Sequence, residues 1–151
     1  MIRRSFTAIA LGTLAACSGA GVPTSSGGSG ETTVDINLTL NAAGSTPYGE
    51  SGGYAPPITT VAVGSQIHFV NTDGFTHTAA LIPDATQFPK GAPFDLSALM
   101  QHGTTLSGGF SSGALQAGSS SQTITADRAG TYLFGCFFHY GAPMRGAIVA
   151  Q

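Results

Sequence analysis

The segment Gly130–Ala150 decides the fold, and it reads GTYLFGCFFHYGAPMRGAIVA. Its first part alternates, so Tyr132, Phe134 and Cys136 share one face of a strand, because successive side chains along a strand point to opposite faces. Cys136 is therefore carried inward at the end of this strand. A second strand is predicted over Arg145–Ala150, after a short loop. The segment predicts two β-strands that bring a cysteine to the edge of a core.

The loop between these strands carries three side chains that bind soft metal ions. Cys136, His139 and Met144 lie within nine residues and offer a thiolate, an imidazole and a thioether. A trigonal site of one cysteine and two histidines with a distant axial methionine is a copper arrangement for electron transfer. Zinc is the alternative, but structural zinc prefers four strong donors to a thioether. The pattern favours copper and requires one more histidine from elsewhere in the chain.

The rest of the chain has the pattern of an all-β protein. Thr33–Leu40 alternates polar and apolar residues, as in a half-buried strand. A short helix is predicted over Asp95–Met100 and a long loop over Asn41–Pro57, whereas Gly103–Gly118 fits no single pattern. Further strands are predicted over residues 58–63, 66–70, 76–82, 121–126, 131–136 and 145–150. About seven or eight short strands in one domain indicate a sandwich or a barrel.

The composition agrees with one small β domain and excludes some functions. The chain has 151 residues, of which 42% are hydrophobic and 8% charged, and 22 are glycine. The low charge argues against a disordered chain. The net charge is −2, with five lysines and arginines. Nucleic-acid binding needs clustered cations to displace counterions, so we expect no nucleic-acid partner.

The N-terminus has the pattern of an export signal, which lies outside the folded domain. Arg3 and Arg4 precede an apolar run over residues 6–16. That run is shorter than the roughly 20 residues of a membrane-spanning helix. It ends in Leu-Ala-Ala-Cys at positions 14–17, which resembles the lipobox of bacterial lipoproteins. The resemblance implies a signal peptide over residues 1–16 and lipidation of Cys17; the alternative is an ordinary secretory signal followed by an incidental cysteine.

Residues 17–30 are rich in glycine and serine and are predicted to be a lipidated, flexible tether. A chain of this kind has a root-mean-square reach of roughly 20 Å. The folded domain is predicted over residues 31–151. We therefore expect an exported protein, lipid-anchored to a bacterial membrane and facing the periplasm or the cell exterior. If Cys17 carries the lipid, Cys136 has no partner within the chain, which is unusual for an exported protein and calls for a role for its thiol.

The spacing Cys136-x2-His139-x4-Met144 and the strands around it closely resemble the blue-copper cupredoxins, especially the plastocyanin-like branch. Upstream, residues 67–77 read IHFVNTDGFTH and resemble the strand and turn that deliver the first copper histidine of that family. The resemblance covers residues 58–82 and 119–151. It implies a Greek-key β-sandwich of about seven to eight strands. It also implies one type 1 copper ion with four ligands: His77, Cys136, His139 and Met144.

The sequence also supports expectations for Thr78, His68 and His102. Thr78 follows His77 where many cupredoxins have an asparagine that helps to hold the ligand loops together, and a threonine hydroxyl can donate a related hydrogen bond. His68 alternates with apolar neighbours, so it is predicted to point to solvent or to a loop. His102 lies in residues 83–118, an insertion that the resemblance does not cover. We expect ordinary roles for both histidines rather than a second metal site.

The resemblance implies a membrane-tethered one-electron carrier that is a monomer and not an enzyme. The ring edge of His139 is the predicted electron port. It is predicted to lie in a small apolar patch at which redox partner proteins dock weakly, formed by Phe138, Tyr140, Gly141, Ala142 and Pro143. Arg145 is predicted to be a solvated surface charge.

Two other functions remain open from the sequence. A copper chaperone or storage lipoprotein is the main alternative, although such proteins favour exposed sites rich in methionine and histidine, and this chain has three methionines. A copper enzyme of this fold uses several domains and a histidine beside the site cysteine. Here Gly135 and Phe137 flank Cys136, so catalysis has little support.

Overall fold

The computed structural model describes residues 30–151. The predicted signal peptide, the tether up to residue 29 and the predicted lipid-bearing Cys17 lie outside the described residues. In the described part, no helix has the length and apolar character needed to cross a membrane. The strands are β1 (Glu31–Ile36), β2 (Gly44–Thr46), β3 (Gly49–Ser51), β4 (Tyr54–Ala55), β5 (Ile58–Val61), β6 (Gln66–Asn71), β7 (Ala80–Leu81), β8 (Gln101–His102), β9 (Ser111–Ser112), β10 (Ile124–Thr125), β11 (Gly130–Gly135) and β12 (Arg145–Ala150).

These strands form two main sheets that face each other across one core. The first sheet has the order β10-β6-β1-β4 and the second β5-β12-β11-β7-β9-β8, while β2 and β3 form a separate hairpin. β1 runs parallel to β6, and β5 runs parallel to β12, so the chain crosses between sheets. Inward-facing residues of both sheets share one buried cluster. The prediction of an all-β, Greek-key sandwich is confirmed, although residues 30–151 form twelve strands, several of them very short, and not the predicted seven to eight.

Aromatic rings at the centre of the core connect the two sheets. The ring of Phe69 on β6 lies 5.1 Å from that of Phe134 on β11, and Tyr54 on β4 lies 4.8 Å from Phe134. Both contacts are edge-to-face, and such pairs contribute about 0.5–1.5 kcal/mol each beyond their burial. The Tyr54 hydroxyl donates to the backbone oxygen of Thr78 at 2.5 Å. The core therefore fixes the chain beside His77.

The first strand is shorter than predicted. It ends at Ile36 because Asn37 begins a turn, in which its backbone oxygen accepts from the N–H of Asn41 at 3.0 Å. The side-chain oxygen of Asn37 also accepts from the N–H of Leu40 at 2.9 Å. Leu40 is 79% exposed, so the alternating pattern of residues 37–40 does not represent a strand. The predicted loop 41–57 also differs, because it contains β2, β3 and β4.

The segment 83–118 packs along the edge of the six-stranded sheet. It contains a 3₁₀ helix, Leu96–Leu99, which is capped by Asp95 through a 2.8 Å bond from the N–H of Ser97. The helix predicted over Asp95–Met100 is therefore a shorter 3₁₀ segment, because Asp95 and Met100 are both extended. Glycine allows this segment to pack closely against itself: Gly113 has a φ of +67°, and a Cβ there would lie 2.7 Å from the backbone nitrogen of Gln101. This packing brings β8 and β9 to the sheet edge.

Candidate metal centre

One group of ligand side chains lies at the end of the sandwich where β6 and β11 stop. The ligand atoms of His77, Cys136 and His139 all lie within 4.8 Å of one another, and this is the one such group of three in residues 30–151. The two Nδ1 atoms are 3.1 Å apart. The Cys136 Sγ lies 3.8 Å from Nδ1 of His77 and 3.7 Å from Nδ1 of His139. The structure thus brings together three of the four predicted ligands.

Main-chain hydrogen bonds close the loop that carries Cys136 and His139. The loop leaves β11 and enters β12 directly across the sheet, where Gly135 pairs with Arg145. The N–H of Cys136 donates to the oxygen of Met144 at 3.1 Å, and the N–H of Met144 donates to the oxygen of His139 at 3.2 Å. These main-chain bonds hold Cys136, His139 and Met144 in one closed loop.

Met144 is fully buried in the same cluster as Cys136. It packs against Gly53, which has a φ of +75°, and a Cβ at Gly53 would lie 2.6 Å from the Cγ of Met144. The neighbouring Gly52 accepts from the N–H of Arg145 at 3.1 Å. The loop before β4 thus leaves room for the predicted axial ligand.

His77 is held from both sides in a fully buried position. Its backbone pairs with Leu115, with an N–H to oxygen distance of 3.1 Å in one direction and 2.8 Å in the other. Its ring nitrogen Nε2 lies 3.1 Å from Oδ2 of Asp73. With a carboxylate as its partner, Nε2 carries the proton and Nδ1 keeps a lone pair for a metal ion.

Asp73 is a site residue that the sequence reasoning missed. Burial alone would raise the pKa of Asp73, but hydrogen bonds from His77, from the backbone of Gly74 and Leu38 and from Thr39 outweigh it, so the pKa lies below its ordinary value. The carboxylate is therefore ionised at neutral pH. The aspartate stands four residues before the predicted ligand histidine, but this spacing alone does not indicate a contact between the two side chains.

Thr78 connects the two ligand segments, as the resemblance suggested, but with different roles for its atoms. Its backbone N–H donates to Cys136 Sγ at 3.4 Å. Its hydroxyl accepts from the N–H of Phe137 at 2.8 Å. The expectation that the hydroxyl donates is therefore wrong in direction. The two ligand segments are still connected, because Thr78 directly follows His77 and bonds to both Cys136 and Phe137.

The donor set fits a copper ion. Metal–nitrogen and metal–sulfur bonds are about 2.0 and 2.3 Å long, so donors around one ion lie about 3–4 Å apart, as these three do. Burial, together with the neighbouring His77, lowers the pKa of His139. The ring is therefore neutral at pH 7, as a ligand must be. Two imidazoles, a thiolate and a nearby thioether are the donors that suit copper.

The rim around His139 is partly as predicted. Phe138 is 46% exposed, and its ring centroid lies 6.2 Å from that of His139. Gly141 and Ala142 are exposed as well. Tyr140 does not belong to this patch, because it is buried and its hydroxyl donates to the oxygen of Pro89 at 3.0 Å.

Arg145 is not the solvated charge that the sequence predicted. Its guanidinium lies 4.3 Å from the centre of the Tyr140 ring, and its Nε donates to the backbone oxygen of Tyr140 at 3.2 Å. The ring centroid of Phe94 lies 5.6 Å from that of Tyr140, in an edge-to-face arrangement. Arg145 and Phe94 of the 83–118 segment therefore both contact Tyr140, a residue of the ligand loop.

The other two histidines of the described chain lie apart from this group. Nε2 of His68 is 3.0 Å from the hydroxyl of Thr33, and its Nδ1 is 3.0 Å from a carboxylate oxygen of Glu31. Nδ1 of His102 lies 3.0 Å from the backbone oxygen of Met100, and His102 is exposed. Both histidines have ordinary polar partners at the surface.

The sandwich and its ligand group define a blue-copper cupredoxin. The family described as copper binding proteins, plastocyanin/azurin family, matches residues 49–151, and the chain belongs to it. One type 1 copper ion is therefore its cofactor. No curated protein sequence matches the chain significantly.

Solved structures with low sequence identity share the fold. A purple cupredoxin from Nitrosopumilus maritimus is 17% identical over 80% of this chain and 99% of its own, with a TM-score of 0.50. The oxidised plastocyanin of the fern Dryopteris crassirhizoma is 18% identical over 80% of this chain and its whole length, also with a TM-score of 0.50. At this level of identity, the likeness concerns the fold alone.

Proposed function

We propose that the protein is a one-electron carrier tethered to a bacterial membrane by a lipid on Cys17, with the edge of His139 as its electron port. The observation that carries the proposal is the ligand group itself, in which two members are fully buried and His139 reaches the rim. A carrier needs one redox centre that is shielded from water and reachable at one edge. This arrangement supports that role.

The residues of the chain supply rigidity. Bound copper provides the one-electron couple. Cys136 is held by the strand β11 and by its hydrogen bond to Met144, and His77 is held by Leu115 and Asp73. Because these contacts exist within the protein framework, the ligands keep the same positions in both oxidation states. Little reorganisation then accompanies electron transfer.

The surface near His139 supports transient docking of a redox partner. Phe138, Gly141 and Ala142 are exposed beside this histidine, without a charged side chain among them. Small apolar patches suit weak, short-lived complexes of the kind that electron carriers form. We expect partners to dock here one at a time with a monomeric carrier.

The alternative, a copper chaperone or store, is less well supported. His77, Cys136 and Met144 are each 0% exposed, whereas transfer of copper between proteins needs ligands that an incoming protein can reach. The proposal also includes no catalytic step, so we keep the expectation that the protein is not an enzyme.

The first test is the visible spectrum of the copper-loaded protein. We expect an intense thiolate-to-Cu(II) absorption band, one copper per chain and one reversible voltammetric wave. Cys136→Ser should abolish the band, because the thiolate supplies the transferred charge. His102→Ala serves as the control and should leave the band intact. Colour that survives Cys136→Ser would contradict the ligand assignment, and several tightly bound coppers per chain would favour a store.

The second test concerns the membrane anchor. We expect the protein to fractionate with membranes, and mass spectrometry of its N-terminal peptide to show a lipid on Cys17. Cys17→Ser should release the protein into the soluble fraction, because stable anchoring depends on the acyl chains. Cys136→Ser is the matched control and should remain with the membranes. A soluble wild-type protein, or an unmodified N-terminus beginning elsewhere, would rule out the anchor.

A further inference from the structure

A buried carboxylate contacts the edge of His77 that faces away from the ligand group. Oδ2 of Asp73 lies 3.1 Å from Nε2, while Nδ1 of the same ring lies 3.1 Å from Nδ1 of His139. Asp73 is 7% exposed and His77 is 0% exposed. Water is therefore a poor competitor for this contact, and the carboxylate decides which ring nitrogen keeps its proton.

Residues from a distant part of the chain hold the carboxylate in place. The N–H of Leu38 donates to Oδ2 at 2.9 Å, and the hydroxyl of Thr39 donates to Oδ1 at 3.3 Å. The N–H of Gly74 donates to Oδ1 at 2.7 Å. Leu38 and Thr39 belong to the turn after β1, which precedes the residues that match the family. With these donors and His77 around it, the carboxylate cannot rotate away from the ring.

Asn71 fixes the turn that carries both residues. Its side-chain oxygen accepts from the N–H of Asp73 at 3.0 Å. Its side-chain nitrogen donates to the oxygens of Phe75 and Leu115 at 2.7 and 2.9 Å. Asn71 is fully buried. The contact between Asp73 and His77 is therefore imposed by the fold and differs from an exposed ion pair, which contributes little.

A buried negative charge beside a ligand changes the balance between the oxidation states of the bound ion. The carboxylate accepts a hydrogen bond from the proton on Nε2 and makes the imidazole a stronger donor to a metal ion at Nδ1. Cu(II) carries one more positive charge than Cu(I), so the carboxylate favours Cu(II). The low dielectric of a buried site strengthens this preference. A centre with this contact has a lower reduction potential than the same centre with a neutral partner.

We propose that Asp73 is a positioning residue that keeps the proton of His77 on Nε2 and lowers the reduction potential of the copper centre. The inference rests on the proposed function, since it concerns the same site. The inference also gives a role to the turn after β1, because Leu38 and Thr39 in that turn hold the carboxylate of Asp73.

The test compares Asp73→Asn with the wild-type protein. Asparagine has the same shape and keeps an oxygen acceptor, but it lacks the charge. At a fixed solution potential, we expect the Cu(I) to Cu(II) ratio to rise at least tenfold, which is about 59 mV for a one-electron couple. Copper should remain bound.

Asp127→Asn is the matched control. The carboxylate of Asp127 also accepts from a backbone N–H and a hydroxyl, both of Ser107. It lies beside the start of β6, whereas Asp73 follows the end of that strand. We expect the ratio for this control to stay within twofold of wild type. A Cu(I) to Cu(II) ratio for Asp73→Asn that also stays within twofold of wild type would overturn the proposal.

A second measurement needs neither a variant nor copper. Nitrogen-15 NMR of His77 in the copper-free wild-type protein reports which ring nitrogen carries the proton, and we expect Nε2. A proton on Nδ1 would overturn the role of Asp73 even if Asp73→Asn does not fold. A wild-type protein without a reversible wave would instead overturn the proposed function, and the NMR result would still decide whether Asp73 sets the tautomer.

Discussion

At position 78 a small polar side chain connects two ligand segments that are far apart in sequence. The hydroxyl of Thr78 accepts from the N–H of Phe137, and its own N–H donates to Cys136 Sγ. Thr78 is fully buried, so water does not replace these partners. Thr78 therefore connects the two ligand segments at the position where the resemblance led us to expect an asparagine.

Replacing Thr78 by valine tests this connection. Valine has the same shape but no acceptor, so the half-buried N–H of Phe137 loses its partner. We expect the free energy of unfolding of the copper-free protein to fall by about 1–2 kcal/mol, as measured by denaturant titration. Thr76→Val is the control, since the Thr76 hydroxyl bonds to Gln116 at an exposed position. Equal stability losses in both variants would contradict a special role for Thr78.

The ligands were predictable from sequence, whereas their supports were not. Cys136, His139 and Met144 fall in one short loop, so their spacing alone indicates a metal site. Asp73 becomes significant only when the turn after β1 folds over it, and that contact joins residues 35 positions apart. No local pattern records a contact of this kind.

At the scale of elements, the strand with sheet neighbours on both sides was predicted best, whereas the alternating stretch Thr33–Leu40 was predicted too long. β12 spans Arg145–Ala150 as predicted, because it lies inside a sheet and pairs with both β11 and β5. The predicted strand over residues 76–82 shrinks to β7, since His77 turns its backbone to Leu115 and its side chain to the ligand group. The contacts of His77 at the site thus interrupt the strand that was predicted over residues 76–82.

The loop 41–57 and the segment 83–118 show why irregular regions resist prediction. Their short strands, β2 to β4 and β8 to β9, have two or three residues each, too few to show a period. Their conformation depends on tertiary contacts, such as Tyr140 with Phe94 and Gly53 with Met144. Both regions support the ligand loop, so their irregular sequence serves the site.

At the scale of the whole molecule, both sheets and the core between them position the candidate ligands. His77 follows β6 in one sheet, Cys136 follows β11 in the other, and the shared core holds both sheets together. The bonds that place these residues are backbone hydrogen bonds and buried side-chain contacts within the protein. We therefore expect the fold not to depend on copper, in contrast to small domains that fold only around a metal.

Removal of copper should therefore leave a folded protein of lower stability. We expect the copper-free protein to unfold in one cooperative transition by calorimetry. Saturation should stabilise it by mass action, by about 4 kcal/mol when free copper is 1,000 times the Kd, which corresponds to a rise in Tm of roughly 10–20 °C for a domain of this size. Cys136→Ser should keep the transition of the copper-free protein but lose most of the response to copper, since the thiolate is the strongest donor of the set. A copper-free wild-type protein without a cooperative transition would show that the metal, and not the core, assembles the site.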